Sequence, residues 1–189
     1  MPGRVPAVTV PIYQLKVTLK GSQPPIWRRI QLLSDTRLGK LHRILQVVMG
    51  WSDYHLHQFI VGQTYYGVPD PDFEMDVRSE RTVPLSRVLL APKAKLIYEY
   101  DFGDSWEHEL LLEKVLDPDP TVRYPTCLAG KRACPPEDCG GIWGFAEFLE
   151  AIASPDHEEH ERMLEWSGGS FNPEAFDLHE VNRRFATIR

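Results

Sequence analysis

The fold class that the sequence predicts is α+β: a mixed or antiparallel sheet of about five strands, with an early helix and a C-terminal helical group packed on it. Three observations predict it. Period-two alternation of apolar and polar residues is concentrated in the first two thirds of the chain, whereas helix-period apolar stripes fill most of the last third. The chain is also 189 residues long with 42% apolar residues, enough for one self-sufficient core. Residues 1–10 read as a flexible tail and 11–189 as a single domain.

The elements follow in order. In the segment IYQLKVTLK, Tyr13, Leu15, Val17 and Leu19 face one way and Gln14, Lys16, Thr18 and Lys20 the other, which is the pattern of a half-buried strand. A turn from Gly21 to Pro25 leads into a second expected strand, Ile26 to Leu33, so the pair reads as an antiparallel hairpin. Ser34-Asp35-Thr36 supplies an N-cap for a helix expected from Arg37 to Met49, striped by Leu38, Leu41, Leu45 and Val48 and stopped at Gly50. A third strand is expected from His55 to Val61, with a short hairpin near Gly62 to Tyr66. A Pro- and Asp-rich loop should span Pro69 to Arg81, followed by a single helical turn near Leu85 to Leu90. Two more strands are expected from Lys95 to Asp101 and from Ser105 to Lys114, about a tight Phe102-Gly103-Asp104 turn. Asp117 to Gly141 reads as irregular chain. Beyond it, Ile142, Phe145, Leu149 and Ile152 mark one helix, and Ser154-Pro155-Asp156 opens another that ends at Gly168-Gly169. Leu178, Val181, Phe185 and Ile188 stripe the last.

No apolar run approaches the roughly 20 residues that span a bilayer, so no membrane partner is expected. Met1 to Val10 lacks the apolar stretch of a secretory signal, and Cys127, Cys134 and Cys139 make a poor disulfide framework. Both point to a cytoplasmic location with reduced thiols. The net charge of −6 conceals an asymmetry: residues 1–50 hold eight Lys or Arg against the single acid Asp35, and the remainder hold 13 basic against 26 acidic residues. This predicts either a basic nucleic-acid face built by the first strands and helix, or basic and acidic parts packed side by side and cancelling. The second is favoured, because no dense Lys/Arg run with interleaved aromatics occurs.

Four constellations could carry chemistry. Around the Gly turn, Asp101, Asp104 and His108 are catalytic candidates; by period two, Trp106 and His108 share the apolar face of their strand, and the two Asp could hold His108 or a metal. His55 and His57 fall on one face of the expected third strand, about 7 Å apart, a spacing that suits two ligands of one transition metal. Cys127, Cys134 and Cys139 could bind zinc if a distant His such as His108, His157 or His160 joined them; otherwise they are packing thiols in a rigid loop. Asp138 and the following Gly140-Gly141 are expected to open the next helix, where free backbone N–H groups could hold an anion or, more simply, Asp138 acts as the cap. Trp27, Arg28 and Arg29 are binding candidates on the second strand, with Arg28 expected partly buried against an acid. No P-loop, dinucleotide fingerprint, H-E-x-x-H or G-x-S-x-G is present.

Five ordered motifs carry a resemblance: Pro25-Ile26-Trp27-Arg28-Arg29, the Leu41-His42 to Gly50-Trp51 helix, His55-Leu56-His57-Gln58-Phe59, Tyr100 to His108, and Cys134-Pro135-Pro136-Glu137-Asp138-Cys139-Gly140-Gly141. Together, from Tyr13 to Phe185, they resemble the plasmid pRiA4b open-reading-frame-3 family. The resemblance implies a compact α+β domain. It implies no catalytic residues, and its link to mobile elements is one of name. Two functions are therefore expected in competition. One is a non-catalytic binding or accessory module that holds a protein, peptide or nucleic acid in the groove between the basic hairpin and the acidic turn, using Trp27, Arg28, Arg29, His55, His57 and Trp106. The other is a metal-dependent hydrolase or nuclease in which His55, His57, His108, Asp101 and Asp104 converge. The sequence leaves open whether any reaction is catalysed.

Overall fold

The computed structural model describes residues 9–70 and 76–188. Most of the expected tail, residues 1–8, lies outside the described residues, as does part of the Pro/Asp-rich loop. The alternating segments form strands β1 (Ile12–Leu19), β2 (Trp27–Leu33), β3 (His57–Val61), β6 (Lys95–Tyr100) and β7 (Trp106–Leu116). Three short strands complete the sheet: β4 (Thr64–Gly67), β5 (Val77–Ser79) and β8 (Thr126–Lys131). Among the described residues the sheet therefore has eight strands rather than about five, in the order β5-β4-β3-β6-β7-β1-β2-β8. All neighbours are antiparallel except the parallel β4–β5 pair. The three unexpected or under-read strands are all at or near the sheet's ends. β4 and β5 are four and three residues long, too short for alternation to register, and β8 (TCLAGK) lacks apolar alternation; all three are recruited by backbone pairing to their neighbours.

One sheet face is covered. Leu15, Val17 and Leu19 of β1, Ile30 and Leu32 of β2, Leu96, Tyr98 and Tyr100 of β6 and Trp106, Leu110 and Leu112 of β7 are all buried. Against them pack α1 (Leu38–Met49), through Leu38, Leu41, Leu45 and Val48, and α3 (Gly141–Ala153), through Phe145 and Phe148. Val181 and Phe185 of α5 (Leu178–Phe185) join the same core. Two small helices, α2 (Leu85–Val88) and α4 (His160–Trp166), complete the set; α4 begins several residues beyond the expected Ser154-Pro155 start. The opposite face carries charges in alternation: Lys20 pairs with Glu107, Arg29 with Glu113 at 2.7 Å, and Lys95 with Glu109 at 2.9 Å. The basic hairpin thus meets acidic β7, and no continuous positive sheet face results. Trp27 lies on this side, with Lys16 and Arg29 over its ring.

Arg28 takes the covered face and is 2% exposed. It does not pair with an acid, as the sequence had suggested. Its Nε donates to Val48 O at 2.9 Å, Nη1 to Trp27 O and Lys131 O at 2.8 Å, and Nη2 to Arg132 O at 2.8 Å. The physical reason is local: carbonyls at the end of α1 and the end of β8 have no partners of their own and converge there. The Phe176 ring lies over the guanidinium at 4.4 Å. Gly130 has to be Gly, because a Cβ there would come within 2.8 Å of Arg28 Cδ and 2.7 Å of Phe176.

Removing this guanidinium strands several carbonyls at once. Arg28→Met should lower unfolding free energy by about 3 kcal/mol, with Arg28→Lys recovering only part, as read by urea denaturation. A loss below about 1 kcal/mol would show that the carbonyls find water instead.

Candidate functional site

The candidate site forms where three loops meet at one end of the covered face. The first loop, Trp51 to Leu56, follows α1. Gly50 ends that helix in the left-handed region at φ 93°, and buried Trp51 donates its indole N–H to Pro135 O at 3.1 Å. The loop's backbone is then held at each step: Ser52 N donates to Glu137 Oε1 (2.9 Å), Asp53 N to Gln46 Oε1 (2.9 Å) and Tyr54 N to Tyr100 Oη (3.1 Å). The second is the Asp101–Ser105 turn between β6 and β7, where Asp101 N donates to Leu56 O at 2.8 Å. The third is the Arg132–Gly140 segment after β8.

His55 lies before β3, not in it, because pairing with β6 begins at His57 opposite Tyr100. The two imidazoles consequently part company. His55 Nε2 faces Asp138 Oδ1 at 3.2 Å, Asp101 Oδ2 at 3.7 Å and Glu137 Oε2 at 3.8 Å. That nitrogen is buried and has no hydrogen-bond partner among the described residues. Ligand atoms of His55, Asp101 and Asp138 all lie within 4.8 Å of one another. Among the described residues, no Lys or Arg makes an ion pair with Asp101, Glu137 or Asp138. Tyr100, whose hydroxyl lies 3.3 Å from Glu137 Oε2, has its pKa pushed up to about 12 by burial and by that carboxylate. It therefore stays a neutral phenol beside the acids.

Asp101 is buried and sits in the left-handed region at φ 58°, with Oδ1 accepting from Gly103 N at 3.0 Å. Asp104 is taken elsewhere: its Oδ2 accepts from Gly140 N at 3.1 Å, tying the turn to the start of α3. Gly141 is in contact there, since a Cβ on it would lie 2.5 Å from Asp104 O. The cap residue of α3 is Gly140, without a side-chain cap bond, so the expected capping by Asp138 does not occur. Asp138, itself at φ 57°, is turned toward His55.

His57 joins a separate, more enclosed network. Its Nε2 lies 2.8 Å from Glu80 Oε2, and its ring stacks on that of His42 at 3.5 Å, nearly parallel at 4°. His42 lies 2.8 Å from both Asp53 Oδ1 and Tyr98 Oη, and Gln46 donates to the same hydroxyl at 3.0 Å. Burial, then the neighbouring His57, lowers the His42 pKa. This network fixes Asp53, and through it the loop that presents His55. His108 is sealed in the core as its alternation required, edge-on to Trp51 at 5.1 Å. Its Nδ1 is 3.3 Å from Tyr98 O, and its Nε2 and the Trp106 indole N–H have no partner. It is fully buried, and its contacts are with Tyr98 and Trp51 rather than with a carboxylate. The cysteines form no ligand set of three among the described residues. Burial pushes their thiols up, Cys127 to about 11 and Cys139 to about 12, with Cys134 shifted in the same direction.

Of the sequence candidates, His55 and Asp101 are brought together, while His57, Asp104, His108 and the thiols are not. Glu137 and Asp138 complete the centre. Their signal was the Pro135-Pro136 pair, which holds the following acids on a stiff loop. A second feature is an apolar groove of about 510 Å³ between the β1–β2 turn and α3, lined by Ile26, Ile142, Phe145 and Leu149, with Trp143 at its rim 82% exposed.

Burial lowers the His108 pKa to about 4 from 6.5. Below pH 6.5 the unfolded chain binds a proton that the folded chain refuses until about pH 4. Stability is therefore complete above pH 6.5 and falls between those values, by about 3 kcal/mol for this group. His108→Leu should flatten that acid limb in denaturation measured from pH 7 to 4; an unchanged slope would assign the limb to other groups.

Comparison with known proteins places these features in context. Residues 11–180 match the family described as plasmid pRiA4b ORF-3-like protein. The chain is 37% identical over 174 residues to the uncharacterized protein y4hQ of Sinorhizobium fredii (strain NBRC 101917 / NGR234), covering 91% of this chain and 89% of that one. It is similar to the crystal structure of a protein of unknown function from Methanosarcina mazei Go1, with a TM-score of 0.84 and 39% identity over 92% of this chain and 99% of that one.

Proposed function

The chain belongs to the plasmid pRiA4b ORF-3-like family, and we propose that it is a binding module built around a divalent-cation centre. His55, Asp101, Glu137 and Asp138 hold the cation, and a partner completes its coordination from the open side. The observation that carries this reading is the buried, partnerless His55 Nε2 facing three carboxylates that have no basic partner. Three acids around one imidazole repel each other unless a cation sits between them. One nitrogen and several oxygen ligands suit Mn²⁺, Fe²⁺ or Zn²⁺. The Asp138 side chain is 71% exposed, so the cation would be reachable.

Binding rather than hydrolysis is the better-supported reading. A hydrolase needs a base within reach of metal-bound water. His57 is turned to Glu80, His108 is enclosed, and Asp104 accepts from the start of α3. A protein or peptide partner fits the apolar groove beside Trp143, and the ion-paired open sheet face disfavours nucleic acid there. The free thiols accord with a reducing cytoplasm, and no helix among the described residues is long and apolar enough to cross a membrane.

Titration of metal-free protein with Mn²⁺ and Zn²⁺ by calorimetry tests the centre. One site per chain is expected. Asp101→Asn, which keeps the left-handed backbone accessible, and His55→Ala should each weaken it about tenfold or more. Equal affinity in the variants would dismiss the centre. Hydrolysis of an activated phosphodiester by the loaded protein would move the reading to a metal-dependent hydrolase.

A further inference from the structure

A cavity of about 610 Å³, apart from the apolar groove, opens at the other end of α1. Arg37, Lys40, Arg43 and Arg81 line it, with Asp35 and Glu80 as its acids. We propose that this cavity is a binding site for a phosphoryl group, carried either by a small phosphorylated molecule or by a nucleic-acid backbone.

The basic excess of the first 50 residues divides between the sheet and this cavity. Seven of its eight Lys or Arg are described. Four are engaged on the sheet: Lys16 over Trp27, Lys20 with Glu107, Arg28 with carbonyls and Arg29 with Glu113. The three that remain, Arg37, Lys40 and Arg43, all line this one cavity. Lys40 and Arg43, three apart, share one side of α1 and Arg37 sits at its N-cap, while Leu38, Leu41 and Leu45 are buried on the core side. Arg81 is brought to the same cavity by tertiary contacts. Leu38 N donates to Val83 O at 2.9 Å and Arg37 bridges to Pro84, which fixes the short 3-10 turn Glu80–Thr82 beside the helix start.

None of these four cations makes an ion pair with any described carboxylate. Of the two acids, Glu80 is buried and bound to His57, and Asp35 is exposed at the rim. The first turn of α1 contributes no acid and has no side-chain cap. Four like charges held around one cavity repel one another. A dianionic or trianionic phosphoryl group relieves that repulsion, and the three Arg present the planar donor forks that match its oxygens. The site is separate from the cation centre and does not depend on it.

Inorganic pyrophosphate, in buffer containing a chelator, is the probe. It should raise the Tm of the full chain in a saturable way that sodium chloride at equal ionic strength does not reproduce. Lys40→Gln with Arg43→Gln, and separately Arg81→Gln, should each lower pyrophosphate affinity about tenfold. Both should leave the protein folded and equally or more stable without the anion, because like-charge repulsion is removed. Asp101→Asn should bind pyrophosphate as the unaltered chain does, which separates this site from the proposed cation centre. Two further ligands distinguish the source. A nucleoside diphosphate binding more tightly than pyrophosphate identifies a small phosphorylated molecule. A short DNA or RNA duplex whose salt dependence falls by roughly one unit of slope per cation removed identifies a nucleic-acid backbone. Undiminished pyrophosphate affinity in the variants, or an equal effect of sodium chloride, overturns the proposal.

Discussion

The Arg28 guanidinium is the interaction on which the arrangement of the molecule rests. It is a charge carried into the covered face of the sheet and held by carbonyl oxygens and the Phe176 ring rather than by a carboxylate. Those carbonyls come from Val48 near the end of α1 and from Lys131 and Arg132 at the end of β8. One of the chain segments that leaves this junction becomes the Trp51–Leu56 loop, and the other becomes the Arg132–Gly140 loop. These bring in His55 on one side and Glu137 and Asp138 on the other. Burial of such a charge is tolerated only when its donors are satisfied. The geometry of the two loops is therefore set from inside the core.

The same obligation recurs across the covered face. Tyr98 and Gln46 are buried polar groups that satisfy one another and His42. His42 in turn holds Asp53, next to the residues that present His55. The stack of His42 on His57 carries this network sideways to Glu80, beneath the start of α1. Both ends of the helix layer thus have polar groups whose positions follow from hydrogen bonds made in low dielectric, where an unmade bond is costly. His108 and Trp106 stand apart, with orphan nitrogens among aromatic rings.

Charge distribution follows from strand order. The basic hairpin of β1 and β2 lies beside acidic β7, so Lys20, Arg29 and Lys95 find carboxylates across the open face. The helix α1 carries Lys40 and Arg43 away from that face. Its outer side therefore retains positive charge while the sheet surface is close to balanced.

Much of this was legible in the sequence, and the limit is physical. Alternation in residues 12–20 and 106–112 identified both strands and their buried sides, including the inward direction of His108, because the side-chain period of a strand is two. Apolar spacing and Gly50 delimited α1 for the same kind of reason. Short strands such as Val77–Ser79 carry too few residues for a period and are made by their neighbours. Periodicity also assumed that His55 belonged to a strand, whereas it lies in a loop held by bonds from Asp53 N to Gln46 and from Tyr54 N to Tyr100. What the sequence alone determined was which side of each element is buried, a local property. Which partner each polar group meets was decided by tertiary structure: carbonyls for Arg28, three carboxylates for His55, α3 for Asp104. Those encounters depend on strand order and loop closure between residues far apart in the chain, and no local pattern encodes them.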